Sequence, residues 1–140
     1  MGQHGNYYTE SFKKCKDKYY DKSLKKTIVY NADLKPMFPG GPSAYMRYLN
    51  KTFKFPEQKG NIEDVQTSTM VDFIVDVDGQ ILNPKIVKQL SNDGLTEFES
   101  EFLRVIRNMP KWIPGKCHNK VIPVIIRLPI IVEIELDDEE

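Results

Sequence analysis

The chain has 140 residues, 40% hydrophobic and 29% charged, which is enough for one folded domain with a single core and too little for two. Twenty basic and 20 acidic residues cancel, which argues against a nucleic-acid binder, since that needs a basic field to capture phosphates. The charge is segregated: Lys13, Lys14, Lys16, Lys18, Lys22, Lys25 and Lys26 crowd the start, and Glu133, Glu135, Asp137, Asp138, Glu139 and Glu140 crowd the end. Such an arm could touch anionic lipid or an acidic partner; the reading taken is a solvated arm and a solvated tail.

Residues 1–35 show no clear helical or strand period and read as a weakly ordered basic arm, with one short helix around 12–24. Residues 1–30 contain no continuous apolar stretch, so no signal peptide is expected there. The most apolar run, 121–132, is broken by Pro123, Arg127 and Pro129 and falls short of the ~20 residues that span a bilayer as a helix. The expectation is a soluble chain, or a domain separated from its exporting and anchoring segment. Cys15 lies in the arm and Cys117 in a loop, so bridging them would order a long tether, and both thiols are expected free. His118 beside Cys117 raises the question of a metal, but His4 and Cys15 have no ligand-like spacing; no metal or other cofactor is expected.

The domain proper is placed at 36–136, followed by the acidic tail at 137–140. Pro36-Met37-Phe38-Pro39-Gly40-Gly41-Pro42 predicts an extended lead-in, with Pro42 in the first turn of a helix through 43–50. Phe55-Pro56 ends that segment. Residues 67–77 alternate: Val71, Phe73, Val75 and Val77 face one way, and Asp72, Ile74 and Asp76 the other, as in a half-buried antiparallel strand with solvated aspartates. Asp78-Gly79 predicts a two-residue type I′ hairpin into a return strand, where Pro84 implies an edge position or a bulge. Residues 91–94 read as a loop. Thr96 and Glu99 form a capping box, and Phe98, Phe102, Val105, Ile106 and Met109 make an apolar helical stripe closed by Pro110. Trp112, between two prolines, reads as a packing anchor.

The last strand is expected over 120–136. Pro123 and Pro129 share parity, so both fit an edge strand whose odd residues turn their backbone groups away from the neighbour. Ile125 and Arg127 then carry outward bonding groups. The order helix, strand, strand, helix, strand predicts an α+β fold: a three-stranded antiparallel sheet, order second–first–third, with two helices on one face. No desolvated acid–base pair or nucleophile stands out, so the chain is read as not an enzyme.

Several runs resemble a known family. Val75-Asp76-Val77-Asp78-Gly79-Gln80-Ile81 is similar to the hairpin of the TonB C-terminal family, and Met109-Pro110-Lys111-Trp112-Ile113-Pro114-Gly115-Lys116 to its Trp, Pro-Gly-Lys signature. Leu128-Pro129-Ile130 resembles the end of its last strand. Phe38-Pro39-Gly40-Gly41, Tyr48-Leu49 and Phe55-Pro56 resemble the form this domain takes in Bacteroides-like bacteria. Asp78, Gly79, Trp112, Pro114 and Gly115 carry the structural motif.

The resemblance covers residue 36 to the end of the last strand and implies a periplasmic module of energy-coupled transport. Its partner would be the N-terminal peptide segment of an outer-membrane receptor, bound by strand addition along the last strand, with Phe55, Pro56, Ile125 and Arg127 giving specificity. Anchored members work with an inner-membrane proton-channel complex. A soluble interaction scaffold with the same fold, including a homodimer by edge pairing or strand exchange, is the alternative reading. An RNA-binding sheet ranks last, because the exposed strand positions lack paired aromatics.

Overall fold

The computed structural model describes residues 12–57, 67–88 and 94–133. Its elements in chain order are β1 (Lys18–Asp21), β2 (Lys26–Val29), α1 (Gly41–Thr52), β3 (Ser68–Val75), β4 (Ile81–Ile86), α2 (Glu97–Arg107), β5 (Gly115–Cys117), β6 (Lys120–Ile122) and β7 (Val124–Ile131). The α+β class stands, and β4, β3 and β7 are neighbours in the expected order, all antiparallel. The sheet is not three-stranded, however. It has five strands, order β1-β2-β7-β3-β4, and β5 and β6 form a separate two-stranded hairpin.

The extra strands come from the segment expected to be a loose arm. Residues 18–29 form a hairpin rather than a helix; Asp21 holds its turn by accepting the Leu24 N–H and the Ser23 hydroxyl, both at 2.9 Å. β2 then joins β7 in parallel through the pair Val29↔Val124. Four-residue strands are too short to show a period, and the lysines hid the apolar pair Ile28 and Val29, both buried. Residues 1–11 lie outside the described part of the chain.

The same docking overturns the expectation of free thiols: Cys15 and Cys117 form a disulfide across 102 residues. The entropy of closing so long a loop opposes bridging only while the chain is open. Backbone bonds of 3.1 and 2.9 Å between Leu34 and Lys116, together with β2 on β7, bring the two cysteines together in the folded chain.

The core lies between the sheet and the helices. Val71, Phe73 and Val75 of β3 and Val124, Ile126, Leu128 and Ile130 of β7 meet Leu49 of α1 and Phe102, Val105 and Ile106 of α2. α1 packs towards β7 and α2 towards β4. The helix ends follow the predicted chemistry. Pro42 sits in the first turn of α1, and the Thr96 hydroxyl and Glu99 carboxylate each accept the other's backbone N–H at 3.0 Å.

The opposite face of the sheet corrects another expectation. Asp72 and Asp76 are buried rather than solvated. Asp72 holds Arg127, its cross-strand partner, in a two-point ion pair at 2.7 and 3.0 Å, and Asp76 pairs with Lys26 of β2. The lysine-rich arm therefore supplies the counter-charge for an aspartate that alternation alone placed in solvent.

The Asp-Gly hairpin also differs in detail. Asp76 and Gln80 close a three-residue loop, with Gly79 alone at positive φ (85°), so the turn is not type I′. Gly79 is required twice over: a Cβ there would lie 2.2 Å from the Trp112 carbonyl oxygen. The predicted irregularity at Pro84 is present as a register shift in the β3–β4 pairing, on the sheet-edge strand β4. Pro123 separates β6 from β7, where one strand had been expected.

Candidate functional site

The outer side of β7 follows from parity. Val132 donates its N–H to Thr67 on the β3 side at 2.9 Å, while the Pro123 carbonyl accepts the Val29 N–H on the other side at 3.0 Å. Even residues bond inward and odd residues outward, as the shared parity of the prolines predicts. In a parallel pair the companion bond to that of Val29 comes from the Ile125 N–H, so β2 occupies the start of this edge. Beyond Val124 no described strand pairs with β7 on that side. Pro129 has no N–H to offer, and its carbonyl accepts the Tyr45 hydroxyl of α1 at 3.0 Å.

An apolar cavity of about 250 Å³ opens between α1 and the far half of β7. Pro36, Met37, Phe38, Gly41, Pro42, Tyr45, Met46, Trp112, Leu128, Pro129 and Ile131 line it, and none of them is charged. Trp112 is buried, with ring centroids 5.8 Å from Phe38, 6.1 Å from Tyr45 and 5.2 Å from Phe73, mostly edge-on, as aromatic quadrupoles prefer. Its Nε1–H points to Met109 Sδ at 3.4 Å. The lead-in segment is fastened to the Trp loop by reciprocal backbone bonds of 3.0 and 2.8 Å between Met37 and Ile113. Met37, Ile113 and Ile131 remain about half exposed and extend the apolar surface past the cavity. Burial pushes the Tyr45 phenol far above its ordinary range, so Tyr45 acts here only as a neutral hydrogen-bond donor.

The residues expected to carry specificity do not meet in one place. Phe55 packs on Phe53 and, at 6.4 Å, on Phe98 of α2; with Pro56 it lines an open hollow beside Glu97, Glu101 and Arg104. Ile125 and Arg127 belong to β7, and neither lines that hollow. The Arg127 side chain is committed to Asp72 on the face away from the helices. Of the motif residues Asp78, Gly79, Trp112, Pro114 and Gly115, a backbone bond joins Gly79 to Trp112. Asp78 accepts the Gln80 N–H, Gly79 accepts the Trp112 N–H at 2.9 Å, and Gly115 lies close under Val124 and the Leu34 carbonyl.

Sequence reasoning missed Met37, Tyr45 and Met46 as a surface. Their only signals were the Pro- and Gly-set lead-in and the shared face of Tyr45 and Tyr48. No helix among the described residues is long and apolar enough to cross a membrane. Compared with protein-family models, curated proteins and solved structures, the chain matches none.

Proposed function

We propose that this chain is a non-catalytic peptide-binding module that receives an extended segment of another protein between α1 and β7. One observation carries the reading: an uncharged cavity, sized for one large side chain, lies directly beside the stretch of β7 that no described strand covers. A strand laid there finds a sheet edge for its backbone and a pocket for one side chain, the two requirements of recognition by strand addition. Pro129 and Tyr45 limit the ladder, so the pocketed side chain contributes more of the affinity than the backbone does.

The resemblance to the TonB C-terminal family supplies the partner: the N-terminal peptide of an outer-membrane receptor, with the grip transmitting motion from an anchored inner-membrane complex. A periplasmic location agrees with the Cys15–Cys117 bond, since disulfides persist in oxidising compartments.

Calorimetry with a receptor-derived peptide tests the reading. Met37→Lys and Ile131→Lys alter half-exposed positions at the pocket and should leave the circular dichroism unchanged. Each should weaken peptide binding by about tenfold or more, because a charge is set against an apolar anchor. A peptide that binds both folded variants as tightly as the parent refutes the groove. A chain that ignores receptor peptides but dimerises in sedimentation, with the dimer lost in the same variants, favours the scaffold.

A further inference from the structure

A second cluster of chemistry-bearing residues lies at the other end of the fold, where the N-terminal hairpin meets the β5–β6 hairpin. The sulfurs of Cys15 and Cys117 and a carboxylate oxygen of Asp33 all lie within 4.8 Å of one another. These positions converge because β2 docks on β7 and Leu34 pairs with Lys116. We propose that, when the Cys15–Cys117 bond is reduced, Cys15, Cys117 and Asp33 bind one thiophilic divalent cation of the zinc type.

The geometry suits such an ion. Tetrahedral zinc with bonds of about 2.3 Å to sulfur and about 2.1 Å to oxygen places its ligand atoms roughly 3.5–3.8 Å apart. Donors already within 4.8 Å reach that spacing by rotamer shifts. The cysteine Cα atoms stand 5.9 Å apart, so the backbone need not open. Asp33 is held in place by a neighbour. Its Oδ2 accepts the His118 N–H at 2.9 Å, the kind of outer hydrogen bond that steadies a metal-ligating carboxylate. His118 also lines the cleft beside both cysteines and offers an imidazole as a fourth ligand, with water as the other choice.

Lys18 and Lys120 border the cleft; their charge favours thiolates, which eases the loss of the two thiol protons as the cation binds.

The step balances with a dithiol as reductant. The dithiol closes to its own disulfide while each protein sulfur gains one electron and one proton. The incoming cation then displaces both protons, leaving two thiolates and one carboxylate on the metal. The ion would tie the two hairpins together as the disulfide does, so the clamp survives in either redox state. This inference does not depend on peptide binding at the α1–β7 groove.

The test uses the full chain, reduced with a dithiol and desalted without oxygen, then titrated with Co²⁺ and competed with Zn²⁺. The reduced protein should show thiolate-to-cobalt charge-transfer absorption saturating at about one ion per chain, with about two protons released, and the oxidised protein none. Cys117→Ser should abolish the charge-transfer band, and Asp33→Ala should weaken Co²⁺ binding at least tenfold. Should the reduced chain unfold without metal, recovery of its circular dichroism with Zn²⁺ supports the site. Failure to recover it, absence of the band, or affinity unchanged in Asp33→Ala overturns the proposal.

Discussion

Trp112→Ala is the sharpest test of how the core and the groove depend on each other. A buried aromatic side chain removes about 150–250 Å² from water, which at about 25 cal/mol per Å² is worth roughly 4–6 kcal/mol as an upper bound. Its edge-on contacts with Phe38 and Phe73 would add to this. The neighbouring cavity works the other way: the void left by Trp112 opens into space that already exists, and solvent or Met46 can enter it. The expected loss is therefore about 3–4 kcal/mol, the lower part of the range for emptying a large aromatic site. Trp112 is the chain's single tryptophan, so urea unfolding must be followed by circular dichroism rather than by tryptophan fluorescence. A loss below about 1 kcal/mol with an unchanged urea slope would refute the reasoning, because it would make Trp112 a surface residue rather than the floor of the groove.

Gly79→Ala should lower stability by about 2–3 kcal/mol, combining the strain of positive φ with a Cβ forced against the Trp112 carbonyl; a thermal melt within a degree or two of the parent would show that the hairpin does not rest on the Trp loop. Arg127→Ala should cost more than Asp72→Ala, because it takes an ion partner from a carboxylate that is 7% exposed, whereas the reverse change takes one from a guanidinium that is 35% exposed; equal losses in denaturant would show that burial does not set the energetics of this pair. Acid should weaken the chain through Glu101 and Glu99. Arg104, then the Lys54 N–H, hold the Glu101 carboxyl below its ordinary value of 4.5. At Glu99 burial pushes up, but the Thr96 bonds and Lys88 outweigh it. Groups with depressed values in the folded state give stability that is complete above about pH 4.5 and is lost as pH falls through the lower folded values. Glu101→Gln should flatten that acid decline in urea midpoints, and an unchanged decline would remove Glu101 from the account.

The local elements were legible because each depends on neighbours in the chain. Thr96 and Glu99 are three residues apart and form the capping box without outside help; Pro42 suits a helix start wherever it stands; alternation through Val71, Phe73 and Val75 defines a core face. The parity of Pro123 and Pro129 was enough to say which side of β7 each backbone group faces. What the sequence could not express is which distant segments share space. Lys26 and Asp76 are 50 positions apart, Cys15 and Cys117 are 102 apart, and Tyr45 reaches Pro129 across 84, so no window of local pattern contains them. Sheet pairing and helix packing bring these groups together. That is why a lysine-rich segment that read as a loose arm became two strands and the counter-charge to a buried aspartate. It is also why the groove formed between α1 and β7, while Phe55 and Pro56 came to rest beside α2. Local pattern alone determined α1, α2, the β3–β4 hairpin and the polarity of β7; the fold decided which edge was covered, which short segments became strands and where an apolar cavity remained.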